Sequence, residues 1–132
     1  MLTSDWVGVP EDIEQYQGFV YILHDKVTGK KYIGQKVYWK KLRYPPLKGY
    51  KRVRVVKRES DWKSYLGSSD AFKELIKGRE HQVIRRIIRN CRTKWEMSYY
   101  ELKEQMDRDV LFKDEYMNGI INVRLGGNGR PK

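Results

Sequence analysis

Hydrophobic and polar positions alternate most clearly in "GFVYILHDKVTGKKYIGQK", residues 18–36. Two β-rich runs flank Asp25-Lys26-Val27-Thr28-Gly29, where Gly29 supplies the φ > 0 position of a tight connection, so the stretch predicts an antiparallel hairpin. With that loop Tyr21 falls nearly opposite Tyr32, eleven positions on, and opposed residues share a face. Strand periodicity adds Gly34 and Lys36 to the same side. Two phenols, a bare patch of backbone and an ammonium group then lie on one surface. That surface is an aromatic core face or an active site.

Further along, "GSSDAFKELIKG" predicts a helix capped by Ser68, Ser69 or Asp70, with Phe72, Leu75 and Ile76 as its apolar stripe and Gly78 at its end. "HQVIRRIIRNC" fits a helix by the spacing of Ile84, Ile87, Ile88 and Cys91, and a buried strand by its β-branched density; the strand is the reading taken. Thr93 followed by Glu96 is a capping box that opens a second helix. There Trp95, Tyr99, Leu102 and Met106 recur as one stripe, with Glu101 at its border. Residues 37–61 have no clean period and contain Pro45-Pro46 and Gly49. They read as a long functional or mobile loop, in which "RVRVV" at 52–56 is the only stretch suited to a short strand. Pro10-Glu11-Asp12 suggests a single helical turn near two core anchors, Trp6 and Val7. Asn118-Gly119 predicts a turn before "IINV", and the tail "RLGGNGRPK" is Gly-rich and basic.

Composition narrows the classes. At 132 residues the chain has the length of one domain. It holds no apolar run near the roughly 18 residues of a membrane span, and its start lacks the order of a signal peptide. Cys91 is the only cysteine, and His24 and His81 are the only histidines. A thiolate zinc cluster is thereby excluded, any metal must rest on oxygen ligands, and a reducing cytoplasmic compartment is expected.

The net charge is +11, and its placement says more than its size. From Lys26 to Lys63 there are 14 Lys or Arg against Glu59 and Asp61, a net +12, so the remaining residues sum to −1. Tyr38, Trp39, Tyr44 and Tyr50 lie among these cations, an arrangement suited to stacking on bases. The bland reading is a solvated loop; the sharper one is a nucleic-acid surface built from Lys40, Lys41, Lys48, Lys51 and Arg52, continuing through Arg54, Lys57, Arg58 and Lys63.

"FVY" at 19–21 and "YIG" at 32–34 resemble the two sequence marks of the GIY-YIG nucleases. "YLGSS", the Ile-rich strand, "MSYYELKEQ" and "YMNGIIN" follow in an order similar to small phage-borne members related to Seg-type homing endonucleases. The resemblance implies an α+β fold: a three-stranded antiparallel sheet flanked by helices over residues 18–123, with a basic insertion at 37–63. Residues 1–17 would be an N-terminal extension and 124–132 a flexible basic tail. It also implies phosphodiester hydrolysis of DNA with one divalent cation, Mg²⁺ or Mn²⁺, in a monomer or weak oligomer. Tyr21 and Tyr32 carry the motif tyrosines, Tyr21 activating water together with the metal. Glu101 matches the metal-binding glutamate, with Glu104 the alternative one turn on, and Asn118 or Asn122 matches the late asparagine. Gly34 leaves room beside the metal.

This chain departs from the family pattern at two places. Phe19 stands where the first motif has glycine, and Leu42 holds the usual place of a helical arginine. Arg43 is one position late, with Lys36 and Lys63 as rival phosphate contacts and Tyr65 at a position where relatives carry histidine or tyrosine. Two further readings follow on the same fold: a noncatalytic nucleic-acid binder, and a nuclease specific for branches or flaps.

Overall fold

A computed structural model describes residues 6–121, 123 and 125–127. Its centre is a mixed sheet of strands β1 (Trp6–Val7), β2 (Gly18–Asp25), β3 (Lys31–Val37) and β6 (Val83–Cys91), in the order β1-β6-β2-β3. Strand β2 runs antiparallel to both neighbours, and β1 adds a parallel edge to β6. The sheet has four strands where three were expected. A two-residue strand is too short to show any period, and its partner lies far along the chain.

The predicted hairpin forms, with its register moved by two residues. Tyr21 faces Gly34, and Tyr32 faces Leu23. The cause is Asp25, which closes the strands instead of joining the loop. Its N–H donates to the Lys30 carbonyl at 2.9 Å, and its carboxylate accepts from Val27 N–H and Thr28 Oγ1. Gly29 takes φ +76°, as the turn requires. Because the shift is even, Tyr21 and Tyr32 keep a common face and meet diagonally.

Residues 37–61 are not a loop. Strands β4 (Trp39–Tyr44) and β5 (Arg54–Glu59) pair antiparallel as a separate two-stranded ribbon. β5 overlaps the short strand suggested at 52–56, starting two residues later and running three residues further. The pairing escapes a periodicity reading because exposed β5 has no buried face to impose alternation.

One face of the sheet carries an aromatic core of Trp6, Phe19, Tyr21, Tyr38, Trp62 and Phe72, with Leu23, Ile76, Val83 and Ile87. Val7, the other expected anchor, is exposed. Helix α1 (Asp70–Leu75) closes this side, capped by Ser69 Oγ accepting from Phe72 N–H at 3.2 Å. Helix α2 (Lys94–Asp107) covers the other face over Val20, Ile33, Cys91, Met97 and Val110. Thr93 caps it, accepting from Glu96 N–H at 3.1 Å. Its buried row is not the predicted stripe. Met97 and Gln105 are buried with Glu101 half-buried between them, whereas Tyr99 and Met106 are exposed. Trp95 and Tyr99 stack on each other on the outer side. An apolar count misplaces this helix because its sheet-facing row holds a carboxylate and an amide.

Candidate active site

Tyr21 sits at the centre of β2, fully buried, beside a β-bulge where the β2–β6 register shifts between Val20 and Tyr21. Bulges re-aim side chains and gather near active sites. The phenol lies flat over Gly34: a Cβ built there would stand 2.5 Å from Tyr21 Oη and 2.8 Å from Cζ. Gly67, at φ +89°, approaches from the other side. The hydroxyl is sealed from solvent; among the described residues no group meets it with full hydrogen-bond geometry, and Tyr65 is the polar neighbour that interacts with it. Burial pushes its pKa well above the usual phenol value, and the neighbouring Tyr65, Tyr32 and, last, Glu101 act in the same direction.

Around it stand the other predicted groups. The Tyr32 ring is 6.4 Å from that of Tyr21, and its half-exposed hydroxyl is 3.1 Å from Ser68 Oγ. The Tyr65 ring meets Tyr21 edge-on at 5.9 Å. Lys36 Nζ lies 4.1 Å above the Tyr65 ring and 2.6 Å from Asp61 Oδ1. That hydrogen bond lowers the Asp61 pKa. Arg85, itself buried, donates to the carbonyls of Lys63 and Tyr65 and so holds the segment that presents Tyr65.

Glu101 approaches from α2, across edge strand β3. Gln35 Nε2, on the helix-facing side of β3, donates to its Oε1 at 3.0 Å. Burial raises the Glu101 pKa, partly offset by that hydrogen bond. Among the described residues it has no cationic partner. Glu104 differs: its carboxylate lies 3.2 Å from Arg108 and 3.8 Å from Arg89. The described residues contain no cluster of three or more His, Cys, Asp or Glu able to hold a metal. A half-buried carboxylate with a raised pKa and no cation beside it fits the single-carboxylate site that a hard cation shares with water and phosphate oxygens.

Other predicted residues lie elsewhere. Arg43 is out on the ribbon opposite Val55 and makes no hydrogen bond, ion pair or ring contact with the tyrosines. Asn118 is not a turn residue. Its Oδ1 accepts from Ile33 N–H at 3.0 Å and its Nδ2 donates to the Ile33 carbonyl at 2.8 Å, closing the edge of β3. Asn122 lies outside the described residues. Lys40, Lys41, Arg54, Lys57 and Arg58 are on the ribbon strands, and Lys48, Lys51 and Arg52 are at its tip. Lys57 pairs with Glu14, and Lys63 with Glu59 at the ribbon base. Gln35, Ser68 and Asp61 were not among the expected site residues. Ser68 entered only as a cap candidate, and Asp61 only as one of two acids in a strongly basic segment.

No helix among the described residues is long and apolar enough to cross a membrane. No curated protein and no solved structure matches the chain. A family model does match, over residues 4–121, under the description "Putative endonuclease segE, GIY-YIG domain". With paired tyrosines, a glycine beneath the first and a helical glutamate across the edge strand, the chain belongs to the segE-type GIY-YIG endonuclease domain family.

Proposed function

We propose that this protein is a metal-dependent DNA endonuclease that hydrolyses phosphodiester bonds. The observation that carries the reading is the juxtaposition at Gly34. A buried phenol lies on one side of the edge strand, and a partly desolvated carboxylate with no cationic partner among the described residues stands on the other. Glu101 would hold Mg²⁺ or Mn²⁺. Such an ion, when bound, lowers the pKa of water and stabilises charge on phosphoryl oxygens.

The protein's own groups supply the rest. Lys36, whose ammonium group lies over the Tyr65 ring, neutralises a phosphate oxygen once it leaves Asp61. Tyr32, half-exposed beside Ser68, orients water or phosphate. Tyr21 Oη keeps its proton in the resting protein and offers a hydrogen bond. To take a proton from water it must first give up its own to solvent, a loss that cations bound in the site would favour against its burial. The noncatalytic reading draws support from this sealed phenol and from the distant Arg43. Incubation of supercoiled plasmid with Mg²⁺, with and without EDTA, separates the two. Nicking that needs Mg²⁺ and vanishes in Glu101→Ala, with DNA binding held within a few-fold, supports the nuclease. Cleavage that survives EDTA, or that is lost in Glu104→Ala and kept in Glu101→Ala, refutes the assignment.

A further inference from the structure

The β4–β5 ribbon carries its charges in an unusual order. Lys40 stands directly opposite Arg58, and Lys41 opposite Lys57. Like charges across a strand pair repel and destabilise it. Between Trp39 and Glu59 there are nine Lys or Arg and a single acid, Glu59 itself. The two faces of the ribbon also differ. On one, Trp39 Nε1 donates to the Ile13 carbonyl at 3.1 Å and Lys57 pairs with Glu14 at 3.3 Å, so its base is docked on the body of the protein. The other face reads Lys40/Arg58, Leu42/Val56 and Tyr44/Arg54 in successive cross-strand pairs, with no acid among them. Among the described residues neither Lys40 nor Arg58 makes a hydrogen bond or a close ion pair through its side chain. Toward the tip, Leu47, Tyr50 and Val53, together with Val55 and Val56 of β5, line an open groove of about 510 Å³.

We propose that this ribbon is an arm that enters the major groove of duplex DNA by its acid-free face, an inference that rests on the DNA-cleaving reading above. The dimensions agree. Two strands about 4.8 Å apart, plus side chains, match a groove about 12 Å wide, which admits a two-stranded ribbon. Cations along both strands then meet the phosphates of both groove walls, which relieves the repulsion of the free ribbon. Arg54 and Arg58 bear the forked donors that pair with guanine edges, and Leu42 and Val56 offer apolar contact to thymine methyl groups. An acidic protein surface would satisfy the charge but not the paired spacing of cations along two strands. Fixed by Trp39 to the same layer that carries Tyr38 and Trp62, the arm holds the duplex in a set position relative to Tyr21 and Glu101.

The test is binding of the full chain to a 30-base-pair duplex in EDTA, which keeps binding separate from cutting. Methyl green, a major-groove ligand, should compete with the protein, and netropsin, a minor-groove ligand, should not. The triple variant Lys40→Ala, Arg54→Ala, Arg58→Ala should bind about 10–100-fold more weakly. Its slope of log K against log[salt] should flatten by roughly 0.9 for each of the three that meets a phosphate, up to about 2.7. Its melting temperature should be unchanged or higher. Competition by netropsin and not methyl green overturns the proposal, as does wild-type affinity in the triple variant. Tighter binding to single-stranded DNA, an RNA hairpin or anionic vesicles overturns it too. Groove competition intact in a protein that cuts no plasmid with Mg²⁺ refutes the nuclease reading and supports the arm.

Discussion

Replacing Tyr21 with phenylalanine should have opposite effects on stability and activity. The hydroxyl is buried against Gly34 and Gly67, and among the described residues it makes no hydrogen bond of full geometry. A buried polar group left unpaired costs about 1–3 kcal/mol. Removing it recovers much of that cost, less a void on the order of 10 Å³ worth about 0.2 kcal/mol. The ring contacts with Trp6, Tyr32 and Tyr65 remain. A net gain of about 1 kcal/mol corresponds to a rise of about 3–5 °C in Tm for a domain of this size. If the same hydroxyl relays a proton during hydrolysis, single-turnover cleavage in Mg²⁺ should fall by about 10²–10⁴. Calorimetry beside rapid-quench kinetics reads both quantities. A variant that melts lower by the worth of an ordinary hydrogen bond shows that Oη is bonded in the folded protein. A variant that cuts at the wild-type rate shows that the phenol is only part of the core.

Three further predictions come from neighbouring contacts. Gly34→Ala places a Cβ 2.5 Å from Tyr21 Oη and should destabilise by about 1–3 kcal/mol, less in the Tyr21→Phe background; equal costs in a urea double-mutant cycle would break the link. Asp61→Asn releases Lys36 and should tighten DNA binding a few-fold with a salt slope steeper by up to about 0.9, whereas an unchanged slope removes Lys36 from the phosphate contacts. Asp25, buried and held by the two terminal nitrogens of the Arg79 guanidinium at 3.0 Å each, has a carboxyl pKa well below the usual range, chiefly through those hydrogen bonds. A depressed folded pKa gives stability that is full above the unfolded value of about 3.9 and lost as pH falls toward the folded one. Asp25→Asn should therefore melt below wild type at pH 7, with the gap starting to narrow below about pH 4 and closing only as pH falls toward the folded value; a gap independent of pH shows that the charge is not what stabilises.

Much of this protein was legible from neighbours along the chain, because period-two alternation, capping side chains and turn glycines act over a few residues. The hairpin at 18–36, the Ser69 and Thr93 caps and strand β6 were all written locally, as was the shared face of Tyr21 and Tyr32. The family motifs belong to the same short-range record, since they sit on those elements in order. What only the tertiary structure decided depends on partners far apart in sequence. Arg79 reaches back to Asp25 and helps hold the turn that sets the hairpin register. Trp6 finds β6, and Lys40 finds Arg58 across a nine-residue tip that carries no local signal for the ribbon. Above all, α2 turned the row of Met97, Glu101 and Gln105 toward the sheet, where Gln35 takes Glu101 and the Ile33 carbonyl takes Gln105. An apolar stripe could not foretell that choice. A polar residue is buried when a partner on another element satisfies its hydrogen bonds, and that partner exists only once the chain has folded.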